Sequence, residues 1–333
     1  MRELQATFAQ TGFEQYRKTT RREQFLVEME RVVPWDKLCA VIEPYYPTVD
    51  GAGRPPVGLE RMLRLYFLQQ WFNLSDPAVE EAVYDSASMR AFVGIDLGRE
   101  PAPDETTVCK FRHRLEKHAL GEKLFQAVNG YLQKQGLKVN TGTIVDATII
   151  GAPTSTKNKA GQRDPQMCQT KKGNQWYFGM KAHLGVDSKT QLIHSVMATP
   201  ANTHDSQALP YLLHGKETRV WGDSAYTGQT EVIREQAPCA QDFTHHKGCR
   251  NRPLTESDRE RNRTKSKVRA KVEHLFRVIK CSFGFVKVRY RGLKKNAHRL
   301  FVTCALANLY GTTTVNPDVT NVAGPSRMES DRI

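Results

Sequence analysis

Apolar residues recur at steps of three and four through the first third of the chain, which is the spacing of amphipathic helices. The segments EQFLVEMERVV and PVGLERMLRLYFLQQWF show this pattern most clearly. Further on, Ser75 or Asp76 can cap a helix that has Pro77 in its first turn. The pattern predicts a helical N-terminal domain over residues 20–135, preceded by an N-terminal arm over residues 1–19.

One of these predicted helices, over residues 101–118, has a basic side. Asp104 can cap it, and its apolar stripe consists of Val108, Phe111 and Leu115. The opposite face carries four basic residues, Lys110, Arg112, Arg114 and Lys117. A short capped helix with a basic face is compatible with a DNA-binding helix-turn-helix element. A helical bundle whose charged face is simply solvated explains the same spacing equally well.

The periodicity changes near residue 140. Short β-branched and aromatic runs, bounded by turn-forming residues, then predict the strands TGTIVDATII, YFGMKAHLGVD, QLIHSVMATP and TRVWGDSAY. Residues 154–175 are predicted to form a loop, and helical spacing returns at 205–214, 228–236, 255–280 and 294–310. Strands alternating with helices predict an α/β domain over residues 136–310 with some antiparallel strands. Residues 311–333 are polar and unpatterned, which predicts a loose tail.

Charge is concentrated in one segment of the chain. The 333 residues are 39% hydrophobic, enough for a packed core, and have a formal net charge of +14. From Lys247 to Arg299 there are 18 Lys and Arg residues against four acidic ones, so this segment alone accounts for a net +14. One basic segment on an otherwise neutral body is typical of proteins that bind a polyphosphate such as nucleic acid. The alternative is a run of charge that serves solubility.

The seven cysteines are scattered without a CxxC pair, which supports neither a disulfide framework nor a standard zinc knuckle. The nearest approach to metal-ligand spacing is the set Cys239, His245, His246 and Cys249, which is more typical of a loop that happens to hold soft ligands. The N-terminus lacks the apolar stretch of a signal peptide, and no apolar run approaches bilayer length. We therefore expect a reduced, cytoplasmic protein.

Three carboxylates stand where a charge is unexpected. Asp146 interrupts the apolar run TIVDATII, where its charge must be paired or bound to a metal. Asp223 ends TRVWGD, and the carboxyl ends of strands are the usual place for sites in open α/β sheets. Glu273 is the single acid in the basic stretch KSKVRAKVEHLFRVIK. On a helical wheel it lies beside the predicted buried stripe, which consists of Val268, Val272, Leu275 and Ile279.

Carboxylates that meet at one site repel each other, by about 4 kcal/mol for a pair 4 Å apart at an effective dielectric near 20. Such a cluster must take up protons or bind hard cations, and oxygen-only ligands favour Mg²⁺ or Mn²⁺. Two such ions would support an in-line phosphoryl displacement. Each acid also has a simpler explanation: Asp223 as a turn or cap residue, Asp146 in a core salt bridge, and Glu273 paired with Arg269 and Arg277.

The segments around Asp146 and Asp223, together with the N-terminal helical segments, resemble bacterial insertion-sequence transposases of the DDE superfamily. The resemblance is to the branch often called the insertion-sequence-five family. TIVDATIIGAP and VWGDSAYTG resemble the segments that hold the family's first two catalytic Asp residues, here Asp146 and Asp223. RPPVGLERMLRLYFLQQWFNLSD and PDETTVCKFRHRLEKH resemble its helical N-terminal domain. The likeness extends from about residue 20 to about residue 310.

The family's third segment has the spacing Tyr, two residues, Arg, three residues, Glu, six residues, Lys. Arg269, Glu273 and Lys280 match it, whereas Ser266 stands at the Tyr position. KAHLGVDSKTQLIHSVMATPANTHDSQ resembles the family's middle strands and ends in its His-Asp element, His204–Asp205. For that pair a helix cap formed by Asp205 is the simpler explanation.

The resemblance implies an RNase H-like catalytic core, with a mixed sheet flanked by helices and the three acids Asp146, Asp223 and Glu273 as catalytic residues and metal ligands. It implies cleavage at insertion-sequence ends with two Mg²⁺ (or Mn²⁺) ions per site, followed by transfer of the 3′-hydroxyl into target DNA. The partners are then double-stranded DNA, both terminal inverted repeats and target. Because joining two ends usually takes two protomers, we expect a homodimer on DNA, associated with the bacterial nucleoid.

Several basic residues are candidates for DNA binding. Arg269 and Lys280 flank Glu273 and are the best placed to hold the DNA end, which would make binding strongly salt-dependent. Lys271 and Arg277 belong to the same basic segment. Two further candidates, Lys181 and His183, alternate toward one face of a predicted strand, although a solvated strand face is the more usual explanation.

Two rival functions remain. A nuclease of the same fold would cut DNA without joining it, and the sequence does not separate the two activities. A DNA-binding regulator would use the basic helix without any chemistry. The presence of all three acids favours an enzyme over such a regulator.

Overall fold

The computed structural model describes residues 18–48, 55–137, 139–159, 161–249 and 253–315. The predicted helical character of residues 20–135 is confirmed where they are described. The helices there are α1 (Arg21–Val32), α2 (Trp35–Ile42), α3 (Leu59–Trp71), α4 (Asp76–Asp85), α5 (Ala87–Val93), α6 (Glu105–Lys117) and α7 (Leu120–Lys134). Most of the predicted N-terminal arm, residues 1–17, lies outside the described residues.

The predicted caps begin two of these helices. The side chain of Ser75 accepts a hydrogen bond from the backbone N–H of Ala78 at 3.2 Å and starts α4. Asp104 accepts one from the N–H of Thr107 at 2.6 Å and starts α6. Each cap satisfies a backbone donor that the first helical turn leaves without a partner. The predicted apolar stripe of α6 is buried.

The basic face predicted for α6 is wrong at Arg112. This side chain is buried and donates to Asp76 at 2.8 Å and to Glu116 at 3.0 Å. Its guanidinium also lies over the ring of Tyr290, 4.3 Å from the centroid. At about 100° per residue, Arg112 lies only about 40° around the helix from Val108, beside the buried stripe rather than opposite it. It is therefore buried with the stripe and joins the helices to the C-terminal part of the chain.

Six strands form one mixed sheet in the described part of the chain. They are β1 (Gly142–Gly151), β2 (Cys168–Lys172), β3 (Gln175–Asp187), β4 (Ile193–Pro200), β5 (Arg219–Trp221) and β6 (Gln241–Asp242). β3 pairs antiparallel with β1, β2 and β4, whereas β5 pairs parallel with both β1 and β6. The predicted α/β class with some antiparallel strands is confirmed.

The prediction of a loop over 154–175 is wrong where β2 forms. Its sequence, CQTKK, has no alternation of buried apolar residues, and the strand is half exposed along its length. β6 was also missed, because two residues are too short to show a pattern. β6 depends on pairing with the more distant β5, which local composition does not reveal. β2 pairs with the adjacent β3 across the two-residue turn Gly173–Asn174, and its polar composition hides the strand.

The remaining helices lie on the two faces of the sheet. They are α8 (Leu209–Leu212), α9 (Thr230–Gln236), α10 (Glu256–Arg277) and α11 (Leu293–Val315). One apolar cluster runs from the N-terminal helices through α10 and α11 to one face of the sheet. A smaller cluster, which includes Val145 and Tyr226, packs the other face against α8 and α9. The predicted division at residue 135 therefore does not separate two hydrophobic cores, and the boundary stays a prediction.

The C-terminal helix α11 extends further than the sequence predicted. Residues 311–315, expected to begin the tail, continue this helix, and residues 316–333 lie outside the described residues. Asn308 on α11 donates to the side chain of Asn129 on α7 and to the backbone carbonyl of Ile193. These buried bonds fix the helical region to the sheet. None of the described helices combines the length and apolarity needed to cross a membrane.

Candidate active site

Asp146 is held in the middle of β1. The strand is buried at this point, and the side chain accepts a hydrogen bond from the N–H of Ala147 at 2.8 Å. Asp146 stands opposite Leu184 in the pairing with β3. Because paired residues of neighbouring strands project from the same face of a sheet, Asp146 lies on the face that packs against α10.

Asp223 follows β5, which runs parallel to β1 and ends beside its first half. Its side chain accepts the N–H of Ala225 at 2.9 Å and caps a single 3₁₀ turn, Ser224–Tyr226. The simpler explanation, a cap, is therefore correct for Asp223, but it does not exclude a second role. Because β5 runs parallel to β1 and Trp221 pairs with Ile144, Asp223 lies level with Asp146.

Glu273 is positioned by α10. Thr255 and Asp258 form a reciprocal capping box at the start of this helix. The predicted buried stripe is confirmed, since Val272 and Leu275 are buried and Val268 packs against the same cluster. Glu273 stands beside the stripe with its side chain 60% exposed.

Arg269 joins two of the three acids. Its Nη1 donates to Asp146 Oδ2 at 2.7 Å, and its Nη2 donates to Glu273 Oε1 at 3.1 Å. The contact with Asp146 is mostly buried, so it acts in a lower dielectric than the exposed contact with Glu273. The sequence left open a core salt bridge for Asp146 and an intrahelical pair for Glu273. The structure shows both, and the guanidinium of Arg269 makes them.

Burial raises the pKa of Asp146 from 3.8 to about 6, because the charged form loses hydration. The positive charge of Arg269 and the N–H of Ala147 act in the opposite direction. The negative charge of Asp223, which follows β5 at the level of Asp146, raises the pKa further. A carboxyl whose pKa is brought near neutral by burial and a charged neighbour is a recognised mark of a functional site.

The donor set suits a hard divalent cation, because carboxylate oxygens are what Mg²⁺ and Mn²⁺ prefer. Among the described residues, however, no three His, Cys, Asp or Glu side chains lie close enough together to hold a metal ion. Arg269 accounts for the separation of Asp146 from Glu273, since its guanidinium lies between them and supplies the positive charge there. A shared ion requires Arg269 to release at least one carboxylate.

His245 is a neighbour that the sequence did not identify. Its backbone N–H donates to Gly222 O at 3.1 Å, directly before Asp223. Its Nε2 lies 3.3 Å from the hydroxyl of Ser266, the residue at the family's Tyr position. Burial and then the charge of Arg269 lower the pKa of His245, so the ring is neutral at pH 7.

The hydrogen bonds of Ser266 fix the tautomer of that ring. The Ser266 hydroxyl donates its single hydrogen to Asn262 O at 2.8 Å, so it can only accept from His245 Nε2. Nδ1 of the neutral ring therefore carries the lone pair. From the sequence, His245 stood out only as part of a weak cysteine–histidine set, because no local pattern shows that it returns beside Asp223.

Lys181 and His183 lie on the other face of β3. Lys181 donates to Thr203 O at 2.7 Å and pairs with Asp205 at 2.8 Å. His183 is fully buried, with Nε2 2.8 Å from Thr199 Oγ1, so the solvated strand face expected for it is wrong. Burial lowers its pKa to about 4, which keeps the ring neutral.

The His-Asp element differs from its expected form. His204, rather than Asp205, caps the following turn, and Asp205 is held in the ion pair with Lys181. The fully buried ring of Tyr226 lies near the same acids, since burial and then the charges of Asp205, Asp146 and Asp223 raise its pKa. Asp205 thus stands behind the site, across the sheet from Arg269.

The remaining basic candidates lie along α10 and the π-helical turn that continues it, Val278–Ser282. Lys271 donates to Ser188 O at 2.6 Å. Ser188 directly follows β3 and pairs with Gly142 at the start of β1, away from Asp146. Arg277 is exposed. Burial and then the charge of Lys172 lower the pKa of Lys280, so this half-buried ammonium lies near the β2–β3 hairpin. The DNA contacts of all three stay predictions.

A six-stranded mixed sheet flanked by helices and preceded by a helical region is consistent with an RNase H-like α/β fold, as predicted. Residues 138–309, more than half of the chain, match the family model described as the transposase DDE domain, and the chain belongs to that family. Residues 13–114 also match the model described as a transposase domain, DUF772. The protein is thus a transposase that acts on DNA in the transposition of an insertion sequence, and its family generally uses divalent metals.

Proposed function

We propose that this transposase cleaves DNA at the ends of its insertion sequence and transfers the freed 3′-hydroxyl into target DNA. Asp146, Asp223 and Glu273 would be the catalytic carboxylates. The observation that carries the proposal is the link through Arg269, which contacts both Asp146 on β1 and Glu273 on α10 while Asp223 lies near enough to raise the pKa of Asp146.

The three carboxylates would hold two Mg²⁺ ions, or Mn²⁺, which when bound activate the attacking hydroxyl and stabilise the leaving oxygen. The chain itself supplies a buried acid in Asp146 and an exposed acid in Glu273. Arg269 is the group that must move. Its planar fork suits a phosphate as well as a carboxylate, so a DNA phosphate would take over the guanidinium and free the acids.

The partners follow from the same reaction. Terminal inverted repeats and target DNA both present phosphates to the basic strip of α10, where Arg269 and Arg277 lie on either side of Glu273. Because two ends must be joined, a homodimer on DNA is part of the proposal. Each neutralised phosphate would add about one to the slope of binding affinity against salt concentration on logarithmic axes.

The test uses labelled DNA that carries the repeats flanking the coding sequence, incubated with Mg²⁺ and a circular plasmid. Asp146→Asn, Asp223→Asn and Glu273→Gln are each expected to lose cleavage and joining while end binding persists. Glu260→Gln, an exposed carboxylate on the same helix, is the matched control. Normal cleavage by any one of the three variants would remove that residue from the site.

The same assay separates the rival functions. Label that appears in the plasmid identifies strand transfer, whereas cut ends without joined product identify a nuclease. End binding without cleavage by the unaltered protein, in Mg²⁺ and in Mn²⁺, would favour a DNA-binding regulator.

A further inference from the structure

The β2–β3 hairpin carries an exposed indole. Trp176 is 65% exposed, whereas the chain's other three tryptophans, Trp35, Trp71 and Trp221, are buried. Lys171 stands opposite Trp176 in the strand pairing, and its ammonium lies 5.9 Å from the centre of the indole. Tryptophan is enriched at surfaces that bind a partner, and a cation beside it adds a charged contact.

A second pair of the same kind lies next to the first. Phe178, two residues after Trp176 and so on the same face of β3, has the guanidinium of Arg163 over its ring at 5.5 Å. Residues 168–179 include two lysines and no acidic residue. We call the four residues Arg163, Lys171, Trp176 and Phe178 the cation–aromatic face of the hairpin.

The cation–aromatic face lies on the same side of the sheet as the candidate active site. Side chains of a strand alternate, so Trp176 shares its face with Leu184, eight residues further along β3. Leu184 stands opposite Asp146. At about 3.4 Å per residue, Trp176 is roughly 27 Å from Asp146 along the sheet. The half-buried Lys280, in the continuation of α10, lies near Lys172 of the hairpin.

We propose that the cation–aromatic face binds an unpaired stretch of the DNA strand that passes the catalytic carboxylates, with the indole of Trp176 stacked on a base. The positive groups match the phosphates, and a flat indole accepts any base. An indole cannot reach the face of a base inside an intact duplex, so the bound stretch must be unpaired. At 3.4 Å per stacked nucleotide it begins about eight nucleotides from the scissile phosphate. This inference rests on the proposed function, because that function brings DNA to Asp146.

Binding is measured without divalent ions and with the Asp146→Asn protein, so that the result does not depend on cleavage. The probes are a fully paired end DNA and the same DNA with its outer nucleotides unpaired. Trp176→Ala is expected to weaken binding to the unpaired probe about tenfold and to leave the paired probe unchanged, while Trp176→Phe retains most of the affinity. Tyr211→Ala is the matched control, since Tyr211 is 68% exposed on α8.

The intact chain offers a second readout. Acrylamide quenches exposed indoles, so Trp176 should supply the quenchable fluorescence, and the unpaired probe should protect it. Equal losses on both probes, no loss on either, or quenching unaffected by the unpaired probe would each overturn the proposal. A Trp176→Ala protein that binds both probes normally but changes its association state would also overturn it, and would assign the hairpin to contact with a second copy of the chain.

Discussion

The guanidinium of Arg269 lies 2.7 Å from the carboxylate of Asp146, across 123 residues of sequence. A buried carboxylate needs a positive partner, and Arg269 is that partner in the structure. The same side chain contacts Glu273, so the ion pair that stabilises Asp146 also controls the third acid. Ionisation of Asp146 and the position of Arg269 are therefore coupled, which leads to two predictions about Asp146.

Arg269→Gln is expected to raise the pKa of Asp146 above its value of about 6, because the positive charge that favours the carboxylate is lost. Arg269→Lys keeps a charge there and should leave the pKa near 6. Carbonyl ¹³C NMR of Asp-labelled protein, with Asp146→Asn to assign the resonance, measures both values without added metal. An unchanged pKa in Arg269→Gln would show that burial alone governs Asp146.

Asp146→Asn is expected to stabilise the fold at pH 7. The folded pKa of about 6 exceeds the unfolded value of 3.8. The free energy of unfolding of the unaltered protein therefore falls as pH rises through this window. The full difference corresponds to at most about 3 kcal/mol above pH 6, and it disappears near pH 4. Urea denaturation at pH 4 and pH 7 measures the free energy of unfolding at each end.

The control for that experiment is Glu260→Gln, on the exposed side of α10, which should show no such pH dependence. A variant Asp146→Asn that is equally destabilised at both pH values would mean that Arg269 cannot accept a neutral partner. The favourable energy of the ion pair between Asp146 and Arg269 would then exceed the free-energy cost of burying the carboxylate.

The parts of the fold that were predictable are those set by local chemistry. The cap at Asp104 and the stripe that ends at Leu115 were evident because a helix fixes its neighbours by spacing alone. Asp146 stood out because a charge inside an apolar strand is costly wherever the strand lies. Asp223 and Glu273 are also unusual for their positions, and the family resemblance implies that all three are catalytic residues.

Long-range contacts were not predictable. Helical spacing places Arg112 beside the buried stripe of α6, but it does not show that Asp76 and Tyr290 are its partners. His245 comes to Asp223 only through β6, a strand of two residues. The bridge made by Arg269 depends on how α10 packs across β1, which depends on the whole core rather than on any segment.

The ion pair of Lys181 with Asp205 is expected to be structural. Both side chains are largely buried, so Asp205→Asn should destabilise the fold by about 1–3 kcal/mol by leaving the ammonium with only a carbonyl partner. Lys181→Met combined with Asp205→Asn should cost less than the sum of the two single changes. Urea denaturation of the four proteins gives the coupling energy, and a value near zero would instead leave Lys181 available to DNA.

Arg112→Leu is expected to destabilise the fold by about 3–5 kcal/mol, because it leaves Asp76 and Glu116 without their buried cation and removes the contact with Tyr290. Arg99→Ala is the matched control, since its pair with Asp96 is exposed and should contribute less than about 1 kcal/mol. Urea denaturation compares the two variants. If Arg112→Leu kept its stability but lost DNA binding, the basic-face prediction for α6 would be restored and the buried network would be incidental.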